Sequence, residues 1–445
     1  MDRISALYVP VAVPTYHMET ADKLFNLSVE MLRTVDEDFI CPPEKLLSVE
    51  QMLGFVSDKQ PDILVFQNLS FANSAYISRL LAQLDCPVLL WTLREPEPKG
   101  GRLCLNSLTG AYSAANAMRD LGRNYEYVYG GPEEARVREA VADFVRAAKV
   151  RKAMRSLKIA AIGHTPRGFG FGRALDAELA KGFGAELEAV EARELMDMAR
   201  SYKPEECGEY LDKSLCAMRC LENTPEKNLC DYARLYRAYA DYARSNGIEA
   251  IASRCWPDFF TDYGTPVCSV LSMLNDQGIA AACEADIYGA LSMWIGMKLS
   301  GAPVFFGDPV AMDERENTIS YWHCGAGACS LAREDTGAMV GVHPNRKIGP
   351  AMDFGCRPFR EATVFRVSRN PGGTFRFFIM EGSTEDREKQ FIGTSLVFKC
   401  RKPSREIVEE SIRQGLEPHF AVIQGAWGDC LAVLGRMLGM EVMRF

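Results

Sequence analysis

Along much of this chain, short apolar runs alternate with segments whose apolar residues recur every three or four positions. The runs at 6–13, 63–66, 88–91 and 125–129, separated by helical patterns such as 74–84 and 111–121, predict a doubly wound parallel sheet. A charged helical stretch over 133–157 carries Lys149, Arg151, Lys152 and Arg155 near its end, where a helix favours cations. It reads as a solvated connector and sets a domain boundary near residue 152. The alternation then resumes, with strands expected at 159–163, 185–190, 248–253 and 280–283 and helices at 173–180, 228–246 and 287–299. After residue 308 the pattern changes. The runs 363–367, 374–380 and 395–400 follow one another without long helices between them, and a helix over 405–413, a strand over 420–423 and a helix over 427–438 complete the chain. The expected fold is α/β, with two doubly wound parallel-sheet domains (1–152 and 153–324) followed by a β-rich, barrel-like domain (325–445).

The stretch 280–308 organises the rest. An alanine-rich run stops at Glu284, and the helical pattern that follows is apolar nearly all round, so both of its faces should be covered. Asp286 stands at the N-cap position, and Gly301 and Pro303 end the helix. A second apolar run, 304–307, stops at Asp308. Read as a strand–helix–strand crossover, this makes the two strands parallel. As neighbours they would hold the two carboxylates about 5 Å apart, at the sheet edge where α/β proteins bind ligands. Acids that close resist ionising together unless a cation lies between them. The pair is therefore either a metal site or two separately solvated loop acids.

Composition narrows the function classes. A net charge of −8 argues against a nucleic-acid partner, and no apolar run approaches the length of a membrane span. The start, Met1-Asp2-Arg3-Ile4, lacks a basic region followed by an apolar core, so no export signal is read. The fifteen cysteines show no paired spacing, which fits reduced thiols in the cytoplasm. The turn 164–172 has the spacing GxGxG and lacks the third glycine of a dinucleotide fingerprint. The strand 248–253 ends in Arg254-Cys255-Trp256, beside the expected position of Glu284. Arg254 reads as a substrate contact or as the ion-pair partner of a site acid. Of the five histidines, His419 stands at the mouth of the strand 420–423.

The run Glu284-Ala285-Asp286, Tyr288-Gly289-Ala290, Leu299-Ser300-Gly301, Phe306-Gly307-Asp308 resembles the metal-binding segment of the L-fucose isomerases and, more loosely, that of the L-arabinose isomerases. The resemblance covers somewhat less than half of the chain, at its C-terminal end, and implies that Glu284 and Asp308 hold a divalent metal. The segment from Glu417 to Gly425 resembles the family's C-terminal histidine segment, which implies His419 as the third ligand. Tyr321-Trp322-His323-Cys324-Gly325 resembles a His-Cys-Gly element of the arabinose isomerases, which implies His323 as a fourth ligand or a substrate contact. His343 competes for either role. Arg254 and Trp256 match a substrate-contacting segment, but Ser253 stands where the fucose enzymes have glutamine, which leaves the sugar open.

The implied activity is aldose–ketose isomerisation through an ene-diol, supported by Mn²⁺ or Mg²⁺, with Glu284 and Asp308 both ligating and moving protons. The resemblance also implies a homo-oligomer, a hexamer, with sites near subunit interfaces. Arg254, Arg94 and Arg360 direct attention to an acidic or sulfonated hexose such as sulfoquinovose; a deoxy or pentose sugar is the other choice. Two further classes stay open. A non-catalytic two-lobe sugar-binding protein would not need the acid pair, and an NAD-dependent oxidoreductase would need the missing glycine.

Overall fold

In a computed structural model of the chain, residues 3–96 and 100–445 are described; Met1 and Asp2, part of the stretch read for an export signal, lie outside them. The chain forms two compact units, Met1–Ala153 with Asp429–Met440, and Met154–Gly428 with Glu441–Phe445. Among the described residues, no helix is long and apolar enough to cross a membrane.

The first unit is built on β1 (Ala6–Val11), β2 (Ile63–Asn68), β3 (Val88–Thr92) and β4 (Tyr125–Tyr129), all parallel and in that order. Parallel bridges from Leu7 to Ile40 and from Val11 to Leu46 add a degenerate strand beside β1. The chain therefore builds outward on one side of β1 and then on the other, the reversal that makes a sheet doubly wound. The charged helix runs Ala135–Met154, and two of its last cations are paired, Lys149 with Asp36 at 2.7 Å and Lys152 with Asp62 at 2.9 Å.

The second unit opens with β5 (Lys158–Ile162), β6 (Glu186–Val190), β7 (Ala250–Ser253) and β8 (Ala280–Cys283), parallel in the order β6-β5-β7-β8. The order reverses after β6, so the loops leaving β5, β7 and β8 gather at the sheet edge that α/β folds use for ligands. The helix Ile287–Ser300 follows β8. Asp286 caps it by accepting the Gly289 N–H at 2.9 Å, and Gly301 closes it at a φ of 67°. Nearly every side chain on this helix is buried, because it packs on the parallel sheet with one face and on a barrel with the other. Two glycines allow the second contact. A Cβ on Gly289 would lie 2.5 Å from the Phe306 ring, and one on Gly296 would lie 2.8 Å from Ile423.

That barrel corrects the expected strand–helix–strand crossover. The run at 304–307 does not lie beside β8. It begins β9 (Phe305–Asp313), which pairs antiparallel with β10 (Thr318–His323) and with β16 (Phe420–Gln424). A two-stranded ribbon, β11 (Val340–Gly341) with β12 (Ala351–Met352), precedes β13 (Ala362–Arg369), β14 (Phe375–Thr384) and β15 (Thr394–Cys400). The order β13-β16-β9-β10-β15-β14 closes through the β13–β14 pairing, and β17 (Glu441–Arg444) adds a parallel strand to β14. The fold is thus parallel-sheet α/β followed by a closed antiparallel barrel, which draws on β9 and β10 as well as on strands after residue 325. Helical crossovers permit parallel pairing but do not compel it, and β9 continues past Asp308 with exposed residues that a buried parallel strand would not carry.

Candidate active site

Strand register brings the site together. Phe420 on β16 faces Gly307 on β9, so the residues before and after them, His419 and Asp308, meet at the barrel mouth. The β8–helix turn supplies the third group. Glu284 and Ala285 both have positive φ, 60° and 52°, a backbone state that costs side chains other than glycine about 1–3 kcal/mol and survives only where packing imposes it. This turn carries the Glu284 carboxylate to the histidine.

The distances are short. His419 Nε2 lies 3.1 Å from Glu284 Oε2 and 3.4 Å from Asp308 Oδ1. Its other nitrogen, Nδ1, lies 2.9 Å from Asp286 Oδ2. His419 is 1% exposed, while the Glu284 and Asp308 side chains keep 17% and 29% of their surface. Imidazole is thus fixed from behind and the two acids open outward. A carboxylate on Nδ1 selects the tautomer in which that nitrogen carries the proton and leaves the Nε2 lone pair toward the acids.

Electrostatics say what that point would take. Burial by itself would depress His419, but the hydrogen bonds to Asp286 and Glu284 outweigh it and push the imidazole up to about 9. Burial pushes the Asp308 carboxyl above its ordinary range, against the pull of His419. Asp286 behaves oppositely: burial would raise it, but Arg366 and His419 hold it well below the usual carboxylate range. Arg366 forks onto Asp286 at 2.6 and 3.0 Å, and both residues are fully buried. Two carboxylates and one imidazole nitrogen around one point could hold a divalent cation, and would suit a hard ion better than a thiophilic metal.

The other expected residues divide. His323 is buried beside His419, with ring centroids 5.8 Å apart, and one nitrogen from each ring joins Glu284 in a group whose ligand atoms lie within 4.8 Å of one another. Its Nδ1, however, accepts the Cys324 amide N–H at 2.9 Å, which keeps the ring proton on Nε2. It stands in the site as a donor. Arg254 does not pair with a site acid; its Nε reaches Asp258 at 3.1 Å and the Trp256 carbonyl at 3.2 Å. Trp256 packs edge-on against Phe169 and lies under the Arg346 guanidinium at 5.0 Å. Ser253 turns its hydroxyl to Tyr239 at 2.8 Å. His343 is held by its own loop, its Nδ1 accepting amides of Asn345 and Arg346. Arg94 forks onto Glu134 in the first unit.

Three features went unread in the sequence. Asp286 is both an N-cap and the partner of His419. Arg366 lies fully buried in β13 between Phe365 and Val367, and an ionised group there announces a buried partner. The glycine-rich turn also has a different role. It carries Phe171 edge-on to His419 at 5.3 Å, and Gly172 sits so close to the 285–286 turn that a Cβ would lie 3.0 Å from the Asp286 Cα.

Two acids and a histidine thus meet at a barrel mouth beside the ligand edge of a parallel sheet, an arrangement that could hold a cation and move a proton. No protein-family model matches the chain. The sequence is 56% identical to the sulfoquinovose isomerase of Clostridium sp. (strain MSTE9) over 442 residues, 99% of either chain. It is 36% identical to the sulfoquinovose isomerases of Priestia aryabhattai, over 449 residues, and Alkalicoccus urumqiensis, over 447, again 99% of each chain. The chain belongs to the sulfoquinovose isomerase family.

Proposed function

We propose that this chain interconverts sulfoquinovose and the corresponding 2-ketose, using Glu284, Asp308 and His419 to hold Mn²⁺, with Mg²⁺ as substitute. The observation that carries the reading is the His419 imidazole, locked on one side by Asp286 and meeting two carboxylates on the other. The activity of the relatives supplies the sugar, and the likeness of residues 284–308 to the L-fucose isomerase segment supports the ligand set. When bound, the cation would polarise the sugar carbonyl and favour loss of the neighbouring proton.

The remaining chemistry belongs to the chain. One carboxylate takes the proton from C2 and returns it to C1, while the other passes the proton of the C2 hydroxyl to the C1 oxygen, so that the carbonyl moves from C1 to C2. Burial pushes the Asp308 carboxyl above its ordinary range, which favours it as a proton carrier. His323 donates its Nε2–H to a sugar oxygen, and Arg254 and Trp256 contact the substrate. We further propose a cytoplasmic homo-oligomer, a hexamer, with sites near subunit interfaces. Purified protein should form ketose from sulfoquinovose with Mn²⁺ present, lose that activity to a chelator and regain it with Mn²⁺. Conversion of glucose or L-fucose in preference to sulfoquinovose would contradict the substrate, and full activity in metal-free protein would contradict the cation.

The two histidines separate by tautomer. His419→Ala should weaken Mn²⁺ binding by at least about 10-fold, in line with losses at groups that orient or ligate a metal. His323→Ala should leave Mn²⁺ affinity nearly unchanged and raise KM, because its Nε2 carries a proton. Calorimetric titration of the metal-free variants checks both, and a larger metal defect in His323→Ala would reverse the assignment.

A further inference from the structure

Four cysteines from four different elements converge beside the site just described, three of them next in sequence to Arg254, Glu284 or His323. Cys255 follows Arg254 after β7, Cys268 opens the helix Cys268–Asp276, Cys283 ends β8 next to Glu284, and Cys324 follows His323 after β10. All four are buried. The sulfurs of Cys255 and Cys268 lie 3.7 Å apart. Cys324 has its sulfur within 4.8 Å of that of Cys268 and also of that of Cys283, and Cys255 faces Cys283 as well.

We propose that Cys255, Cys268, Cys283 and Cys324 form a second metal site, which holds one zinc ion by four thiolates.

A zinc ion bound to sulfur at about 2.3 Å in a tetrahedron sets its sulfurs about 3.8 Å apart. The Cys255–Cys268 separation already meets that spacing, the contacts of Cys324 with Cys268 and Cys283 must close by no more than about 1 Å, and the two diagonals, Cys268–Cys283 and Cys255–Cys324, must close further. Rotation about χ1 supplies movements of that size. One nitrogen of His343 lies within 4.8 Å of the Cys268 and Cys324 sulfurs, and one of His323 within 4.8 Å of those of Cys283 and Cys324. His323 spends its Nδ1 on the Cys324 amide, and His343 spends its own on the amides of Asn345 and Arg346, so in each ring the proton sits on Nε2. The donor set is therefore sulfur alone, which selects a soft cation and rejects the hard one suited to Glu284, Asp308 and His419.

Loading is balanced by proton release: Zn²⁺ displaces four thiol protons and leaves a centre of charge −2. That charge lies at the first turn of the helix Cys268–Asp276, whose dipole favours it, and the Val267 amide N–H is directed at the Cys255 sulfur. Because Cys283 and Cys324 adjoin Glu284 and His323 in the chain, a closed thiolate centre would also hold those two turns in place. Four thiols packed as small apolar side chains is the alternative state of the same residues.

The test uses full-length protein from zinc-supplied cells, dialysed against a chelator that empties the oxygen-rich site. Elemental analysis should find one zinc per chain, released as a mercurial titrates the buried thiols. Protein produced with Co²⁺ in place of zinc should show the intense sulfur-to-cobalt charge-transfer bands of a tetrathiolate, which an oxygen–imidazole site does not give. Cys268→Ser and Cys283→Ser should lose the zinc and the bands, whereas the exposed Cys216→Ser should keep both. Zinc absent from the wild-type protein, or retained without thiolate bands in the cobalt form, overturns the proposal, and both readings are made on a chain that needs no substitution to fold.

Discussion

Glu284→Gln and Asp308→Asn are each expected to slow isomerisation by about 10²- to 10⁴-fold, the usual range for a positioned acid or base, and saturating Mn²⁺ is not expected to restore the rate. The substitutions keep shape but remove charge and the ability to carry a proton. Both acids lie within 3.4 Å of the same imidazole nitrogen, so both feel the same cation, but they differ in surroundings. Asp308 is pushed toward its protonated form by burial, and Glu284 is held by a strained turn. A difference in environment of this kind lets one carboxyl give a proton while the other takes it. Titrating Mn²⁺ into each variant under saturating substrate separates the two roles. Recovery of most of the rate at high Mn²⁺ in both variants would leave the acids as ligands only.

Arg366→Met is expected to destabilise the chain by about 3–5 kcal/mol, as when one member of a buried ion pair is removed. Arg366 is fully buried and forks onto Asp286, which is also fully buried; Glu417 Oε2 lies 3.9 Å from its Nε. Methionine fills most of the volume, so the loss measures the stranded Asp286 charge rather than a cavity. Arg366→Lys, which keeps the charge but not the fork, should recover part of the loss. Urea denaturation followed by tryptophan fluorescence gives the difference directly. A change below about 1 kcal/mol for Arg366→Met would mean that Asp286 is held by His419 and the helix N-terminus without the arginine.

The parts of this architecture that depend on near neighbours were legible. The β8 run, the Asp286 cap, the all-apolar helix and the Gly301 stop are written within two dozen residues, and each formed where the pattern put it. The acids and His419 could be picked out as residues, and each acid lies within 3.4 Å of the His419 imidazole. The route by which they meet was not legible. Asp308 arrives on a barrel strand that pairs with its hairpin neighbour β10 and with β16, over a hundred positions away, and no local periodicity records the register with β16. β10 itself escaped notice because Thr318–His323 mixes polar and aromatic residues in a short run. The degenerate strand at Ile40 and Leu46 is two bridges rather than a run, so no apolar pattern marks it. Arg366 and the four-thiol cluster share a cause. Each is a polar or reactive group in an apolar context whose meaning lies in a partner distant in sequence, and only the folded chain supplies that partner.

The central claim is that the acids at Glu284 and Asp308 move a proton between C1 and C2 of the sugar. The wild-type enzyme should therefore be run on sulfoquinovose in D₂O with Mn²⁺ and the products read by proton NMR. Proton transfer through carboxyl groups that solvent can reach predicts ketose carrying deuterium at C1, and recovered aldose carrying it at C2. Ketose formed in full but without deuterium would mean that the substrate hydrogen passes directly between the carbons, and would contradict the roles assigned to both acids.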